Sequence, residues 1–193
     1  MQIREMEQIR KYFESITALT EKDWLFFSSR LIQQEFPKRH LLLKAGKTES
    51  HLSFVEKGII RFYMPKEEND LTFYFAFANE FVSGYDSFLT QTPSVYHIET
   101  LTATTLWRIT YTDLQEIYQQ TEIGNFIGRH AGEHLYLDSF KRELSLLSDT
   151  AEQRYLKLFT EKTRLIQQIP LKYLASYIGV TPQALSRIRK RIY

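Results

Sequence analysis

The stretch that most constrains the fold is the last 25 residues, Ile169 to Tyr193. Leu171, Leu174, Ala175 and Ile178 recur at helical spacing and give a first helix one apolar face. Gly179 follows, where glycine can take the left-handed conformation that ends a helix and turns the chain. Val180 then turns inward, Thr181 is a good N-cap, and Pro182 occupies the first helical position, where its missing N–H costs nothing. Ala184, Leu185 and Ile188 make the inner face of a second helix, leaving Gln183, Ser186, Arg187, Lys190 and Arg191 outside. Two helices with a glycine turn and a basic, polar second helix describe a helix-turn-helix whose second helix fits the major groove of DNA. Arginine pairs bidentately with guanine and glutamine with adenine, so Gln183 and Arg187 are the expected base readers. Thr181 and Ser186 are expected alongside them, with Lys172, Arg189, Lys190 and Arg191 on phosphates. The competing reading is a surface helical hairpin that is basic by accident; cap, turn, apolar pattern and charge together favour DNA.

Charge is distributed to match. From Ala151 onward the chain carries nine Lys/Arg against two acids, a net +7, while the first 150 residues carry 16 basic and 21 acidic residues. An acidic body is repelled by a polyanion and a basic tail attracted, so nucleic acid is the expected partner of the C-terminal part only. The absence of cysteine excludes disulfides, thiolate metal sites and a cysteine nucleophile. No apolar stretch approaches membrane length and the N-terminus is charged, so neither a membrane span nor a signal peptide is expected, and the cytoplasm is the expected location.

Along the chain, Ile3 to Phe36 reads as helical, with Ile3, Met6, Ile9, Ile16 and Leu19 as one apolar stripe and a helix start at Thr20 with Asp23 at its third position. Trp24, Phe26 and Phe27 read as packing against the next domain. From Pro37 to about Thr110 the pattern is short β runs: His40–Lys44, His51–Lys57, Ile59–Met64, Leu71–Ala78, His97–Ala103 and Thr105–Ile109. Turns fall at Lys44-Ala45-Gly46 and Lys57-Gly58, and Pro65 to Asp70 reads as a polar hairpin tip. Many short, evenly spaced strands suggest a sandwich or barrel, a jelly roll being one such answer. Helix returns at Asp113–Gln119. A long run from Glu122 to about Leu147 follows, with Phe126, His130, Leu137, Phe140, Leu144 and Leu147 spaced by threes, fours and sevens, the seam of a coiled coil. A second copy of the same helix is its simplest partner, which predicts a symmetric homodimer; packing wholly on its own β domain is the alternative. Ser148-Asp149-Thr150 breaks the run, Ala151–Leu165 reads as one further helix with Tyr155, Leu158 and Phe159 inward, and Gln167–Pro170 as a short link. The fold class expected is α+β, in three parts: a β-roll sensor domain over 1–120, a dimerisation helix over 121–147 and a helix-turn-helix domain over 148–193.

The order of these parts resembles the Crp/Fnr family of bacterial transcription regulators. Leu144–Phe159 looks like the family's junction between dimer helix and DNA-binding domain, Ala175–Lys190 like its helix-turn-helix, and Asn79–Leu89 like its phosphate-binding cassette. The resemblance implies a cyclic-nucleotide-binding-like double-stranded β-helix (jelly roll), a dimer, a site-specific activator or repressor, and contact with RNA polymerase. It implies a base-contacting arginine at Arg187; at Gln183 the family commonly has an acid, so a different base is expected. Pro182 stands where some members carry another reading arginine, and no β-hairpin wing is expected around the motif.

The resemblance is weakest at the cyclic nucleotide site. The glutamate that would hold the ribose falls at Gly84, and the element that would bring an arginine to the cyclic phosphate falls at Ser94-Val95-Tyr96, with His97 the nearest cation. Cyclic AMP is therefore not expected. The pocket binds another, unidentified small-molecule effector through Tyr85, Asp86, Ser87, Phe88, Ser94 and His97, or binds nothing. His130-Ala131-Gly132-Glu133-His134 formally matches the inverted zinc-protease motif, but it is short, interrupted by glycine and lacks a third ligand, so neither a metal nor a cofactor is expected. With no G-x-S-x-G, Walker loop or G-x-G-x-x-G, an enzyme is not expected. The rival function is a sensor of the same fold whose helix-turn-helix serves protein contacts instead of DNA.

Overall fold

The computed structural model describes residues 6–67 and 69–192. Ile3 of the expected apolar stripe, Glu68 of the expected hairpin tip and Tyr193 lie outside them. Helix α1 is Glu7–Glu14 and α2 is Glu21–Ser28. Eight strands follow: β1 Ile32–Phe36, β2 Leu41–Leu43, β3 His51–Lys57, β4 Ile59–Met64, β5 Leu71–Phe77, β6 Phe81–Val82, β7 His97–Thr100 and β8 Thr104–Thr110, with the short helix α3, Tyr85–Thr90, between β6 and β7. Then come α4 Tyr111–Gln120, α5 Gly124–Ser148, α6 Ala151–Glu161, α7 Thr163–Gln168, α8 Leu171–Ile178 and α9 Pro182–Ile192.

The strands form two four-stranded sheets, β1-β8-β3-β6 and β2-β7-β4-β5, the jelly roll of an α+β protein. β8 is buried at Thr104 and Leu106 on one face and at Trp107 and Ile109 on the other, so this strand is covered on both faces. Trp107 and Ile109 enter a core with Phe54, and α1 and α2 close over it with Met6, Ile9, Phe13, Trp24 and Phe27. Trp24 and Phe27 therefore pack on the roll, and Phe26 lies partly buried beside them. Thr20 caps α2 as expected, accepting from the Asp23 N–H at 3.1 Å.

Three expectations are corrected. The N-terminal helical reading fails twice: α1 ends by Ser15, leaving Ile16 and Leu19 outside it, and Ile32–Phe36 is a strand. Gln33, Gln34 and Glu35 favour helix locally, but the segment pairs antiparallel with β8 from Ile32 opposite Arg108 to Phe36 opposite Thr104, a long-range ladder that overrides propensity. The expected strand His97–Ala103 stops at Thr100, because the Leu101 N–H turns to Ile59 O at 2.7 Å and Thr102 Oγ1 accepts the Ile59 N–H at 3.0 Å. The helix expected over Ala151–Leu165 is broken at Lys162, whose backbone (φ −140°, ψ 50°) leaves the helical region, and α7 then runs through Gln168, into the expected link.

The chain forms two compact units. The first comprises Met1–Phe62 and Phe75–Gly132; the second comprises Tyr63–Tyr74 and Glu133–Tyr193. The second half of α5 and the β4–β5 hairpin tip therefore share a unit with α6 to α9.

Candidate nucleic-acid interface

The turn between α8 and α9 is built as its residues dictate. Gly179 takes φ +81°, its N–H bonds Ser176 O at 3.1 Å, and the Val180 N–H reaches back to Ala175 O at 2.9 Å. This pair of bonds is a Schellman ending, which needs a left-handed residue at that position. Thr181 Oγ1 then accepts the Ala184 N–H at 3.2 Å and starts α9. Leu174, Ala175, Tyr177 and Ile178 are buried from α8, and Leu185 and Ile188 from α9. Val180 is only half-buried.

Gln183, Ser186, Arg187, Arg189, Lys190 and Arg191 are all exposed on α9, as are Lys172 at the start of α8 and Thr181 before α9. Gln183, Arg187 and Lys190 follow at i, i+4 and i+7, so they form one stripe from the first turn of α9 onward. Two expected contact residues are already engaged: Ser186 Oγ donates to Pro182 O at 3.0 Å, and Arg191 Nη2 pairs with Glu152 Oε2 at 3.0 Å. Thr181 is committed to its cap. Arg187, Lys190 and Arg191 rim an open cleft floored by Ala151, Val180, Ala184 and Ile188.

What holds α8 in place was not visible in the sequence. The Ser176 hydroxyl donates to Asp70 O at 2.6 Å and accepts the Thr72 N–H at 2.8 Å, which ties the β4–β5 hairpin tip to the helix. Arg142 of α5 donates from Nη2 to Tyr177 O at 2.7 Å and lies over the Tyr177 ring, 3.9 Å from its centroid. Arg154 of α6 donates from Nε to Ile178 O at 2.9 Å and from Nη1 to Asp149 O at 2.5 Å. Two arginines thus meet the last carbonyls of α8, where the helix dipole is negative. Burial pushes the Arg142 guanidinium below its usual pKa, with Tyr177 opposing. The junction itself is pinned at Asp149, which accepts from Ser145 Oγ at 2.5 Å and pairs with Lys157 at 2.7 Å, and by the full capping box of Thr150 and Gln153.

Along the expected seam, Leu137, Phe140, Leu144 and Leu147 are 52%, 45%, 48% and 78% exposed. Phe126 and His130 are half-buried, their rings stacked with centroids 6.2 Å apart. His134 is exposed on the same helix. Among the described residues no group of three or more His, Cys, Asp or Glu is gathered as a metal site would need.

The expected effector residues serve their own roll. Ser87 is buried; its Oγ donates to Thr92 O at 2.5 Å and accepts the Glu49 N–H at 3.0 Å. Phe88 is fully buried, edge-on to Tyr111. Ser94 is buried, bridging to the Tyr96 backbone, and His97 Nδ1 accepts the Ala45 N–H at 3.0 Å. Tyr85 stacks on Phe88 and hydrogen-bonds Tyr118. The Tyr96 hydroxyl donates to Asp86 Oδ1, and burial with that bond drives the phenol pKa far up. Glu49, which sequence reasoning missed, is buried beside the start of α3; its carboxylate accepts the N–H groups of Ser50 at 2.9 Å, His51 at 3.0 Å and Gly84 at 3.4 Å. Burial raises its pKa against those bonds.

Residues 33–121 match the cyclic nucleotide-binding domain family. No curated protein matches the chain significantly. Among solved structures, the c-di-GMP responsive global regulator CLP of Xanthomonas campestris is similar at 18% identity, with a TM-score of 0.68 over 90% of this chain and 91% of that one. A protein of Eubacterium rectale ascribed to the Crp/Fnr family of transcriptional regulators gives 17% identity and a TM-score of 0.71 over 90% and 83%. FixK2 of Bradyrhizobium japonicum gives 12% identity and a TM-score of 0.72 over 84% of each chain. Residues 33–121 thus resemble the cyclic nucleotide-binding domain family, and the chain shares the fold of the Crp/Fnr transcriptional regulators.

Proposed function

We propose that the protein is a dimeric, sequence-specific DNA-binding transcription regulator of Crp/Fnr type. The observation that carries this reading is the exposed stripe Gln183, Arg187 and Lys190, presented from the first turns of a helix set by a complete helix-turn-helix turn. Gln183 and Arg187 read base edges; Lys172, Arg189 and Lys190 hold phosphates, and Arg191 joins them on leaving Glu152. A pair of such readers implies a two-fold site, and the exposed apolar side of α5 supplies the dimer face. RNA polymerase and an effector of unassigned chemistry are the further partners of a regulator of this type. Its place of action is the cytoplasm, where the chromosome lies; no described helix is long and apolar enough to cross a membrane.

The reading also takes cyclic AMP not to be the effector. The cassette offers no arginine to a cyclic phosphate, while Asp86 and Glu49 supply negative charge there. The hydroxyls of Ser87 and Tyr96 are committed within the protein.

The test is a gel shift against promoter fragments at several salt concentrations. Retention of a discrete site, weakened in Gln183→Ala and Arg187→Ala, supports the reading. Binding that falls steeply with salt and shows no sequence preference contradicts it, as does a helix-turn-helix that binds no DNA and acts on proteins.

A further inference from the structure

We infer that Arg142 is a positioning residue that sets the reading helix against the dimer helix, so that the separation of the two readers follows from the α5 seam. The inference rests on the DNA-binding reading above and deepens it. Arg142 lies two residues from both Phe140 and Leu144, so it projects about 200° round α5 from that exposed apolar side. One side of the helix is left for a second copy, and the other grips α8.

The grip is specific in three ways. The guanidinium donates to Tyr177 O at 2.7 Å, a carbonyl in the last turn of α8. It stacks over the Tyr177 ring at 3.9 Å, which fixes its plane as well as its reach. Tyr177 is itself buried, and its hydroxyl accepts Lys162 Nζ at 3.1 Å from the break between α6 and α7, so the ring cannot turn away. The next carbonyl, Ile178 O, is taken by Arg154 from α6. Gly179 and the reading helix follow directly, so displacement of the α8 end displaces Gln183 and Arg187. Arg154 secures the helix-turn-helix to its neighbour α6, and Arg142 reaches it from the dimer helix.

A residue that only stabilised the fold would weaken binding to every DNA alike. A positioning residue controls how strictly the half-site separation is read, because both readers must engage at once. The experiment compares full-length wild type, Arg142→Met and Arg142→Lys on the selected two-fold site and on the same site lengthened or shortened by one base pair. Dimer mass and cooperative unfolding are checked for each protein. Wild type should prefer the selected separation by about tenfold or more. Arg142→Met, which keeps the aliphatic stem, should stay dimeric and folded while that preference falls towards one; Arg142→Lys, which keeps one donor, should restore part of it. A folded Arg142→Met dimer with the wild-type preference overturns the inference alone. A wild type that selects no two-fold site overturns the DNA-binding reading and this inference with it. If Arg142→Met fails to fold, Arg142→Lys decides: a preference equal to that of wild type despite the lost guanidinium stacking overturns the inference, and a reduced one supports it.

Discussion

Replacing Phe140 by alanine tests the proposed dimer face most sharply. Phe140 is 45% exposed on α5, and its ring stacks on Tyr136 with centroids 6.1 Å apart. Against about 200 Å² for an aromatic side chain, that exposure leaves about 90 Å² for a partner to cover. At about 25 cal/mol per Å², covering it contributes about 2 kcal/mol per copy and about 4 kcal/mol per dimer. Phe140→Ala should therefore raise the dimer dissociation constant by up to about a thousandfold. Sedimentation velocity across a dilution series reads this directly. Leu25→Ala is the control: Leu25 is 52% exposed, but on α2 and not part of the α5 seam, and its loss should leave the dimer unchanged. The reasoning is refuted if wild type sediments as a monomer at micromolar concentration, or if both variants dimerise as wild type does.

Three further outcomes follow from the geometry. Arg187→Ala should cost about 1–3 kcal/mol on the selected site and relax specificity at one position of each half-site, read by titrating single-base variants. Gly179→Ala should destabilise the protein by about 1–2 kcal/mol, since φ +81° strains any side chain although the nearest atom to a new Cβ, Arg154 Nη2, lies 3.7 Å away; denaturant unfolding reads it. His51 is half-buried, and burial, with the nearby Arg108, pulls its pKa from 6.5 to about 4, against Asp113. The unfolded chain therefore binds the proton first, so stability is fully present above pH 6.5 and is lost as pH falls from there towards 4; His51→Gln should remove that part of the slope in urea unfolding followed with pH.

Local chemistry carried most of the legible structure. β3 and β4 begin and end at the residues the pattern marks, His51–Lys57 and Ile59–Met64, because tight turns bound them and Gly58 at φ +116° separates them. The helix-turn-helix was legible for the same reason: cap, proline, left-handed glycine and apolar spacing all sit within 25 residues. What escaped was fixed at a distance. β1 looks helical until β8 pairs with it, some 70 residues on, and β6 is two residues long, held by Ser53 and Phe54 of β3. No glycine or proline marks the break at Lys162; the neighbouring helix supplies the Tyr177 hydroxyl that its side chain bonds. At the candidate site, the outward residues of α9 were readable from periodicity. The brace behind α8 was not, because Arg142, Arg154 and Asp70 meet backbone and hydroxyl groups that carry no sequence signal of their own.

The central claim is that two copies of α9 read a two-fold DNA site. Selection of bound fragments from a random pool by the full-length protein, followed by sequencing, tests it most directly. The account predicts one enriched inverted repeat, with half-site centres about one helical turn apart, and loss of that enrichment in the Gln183→Ala, Arg187→Ala double variant. An unenriched pool, or a single half-site with no symmetric mate, contradicts it.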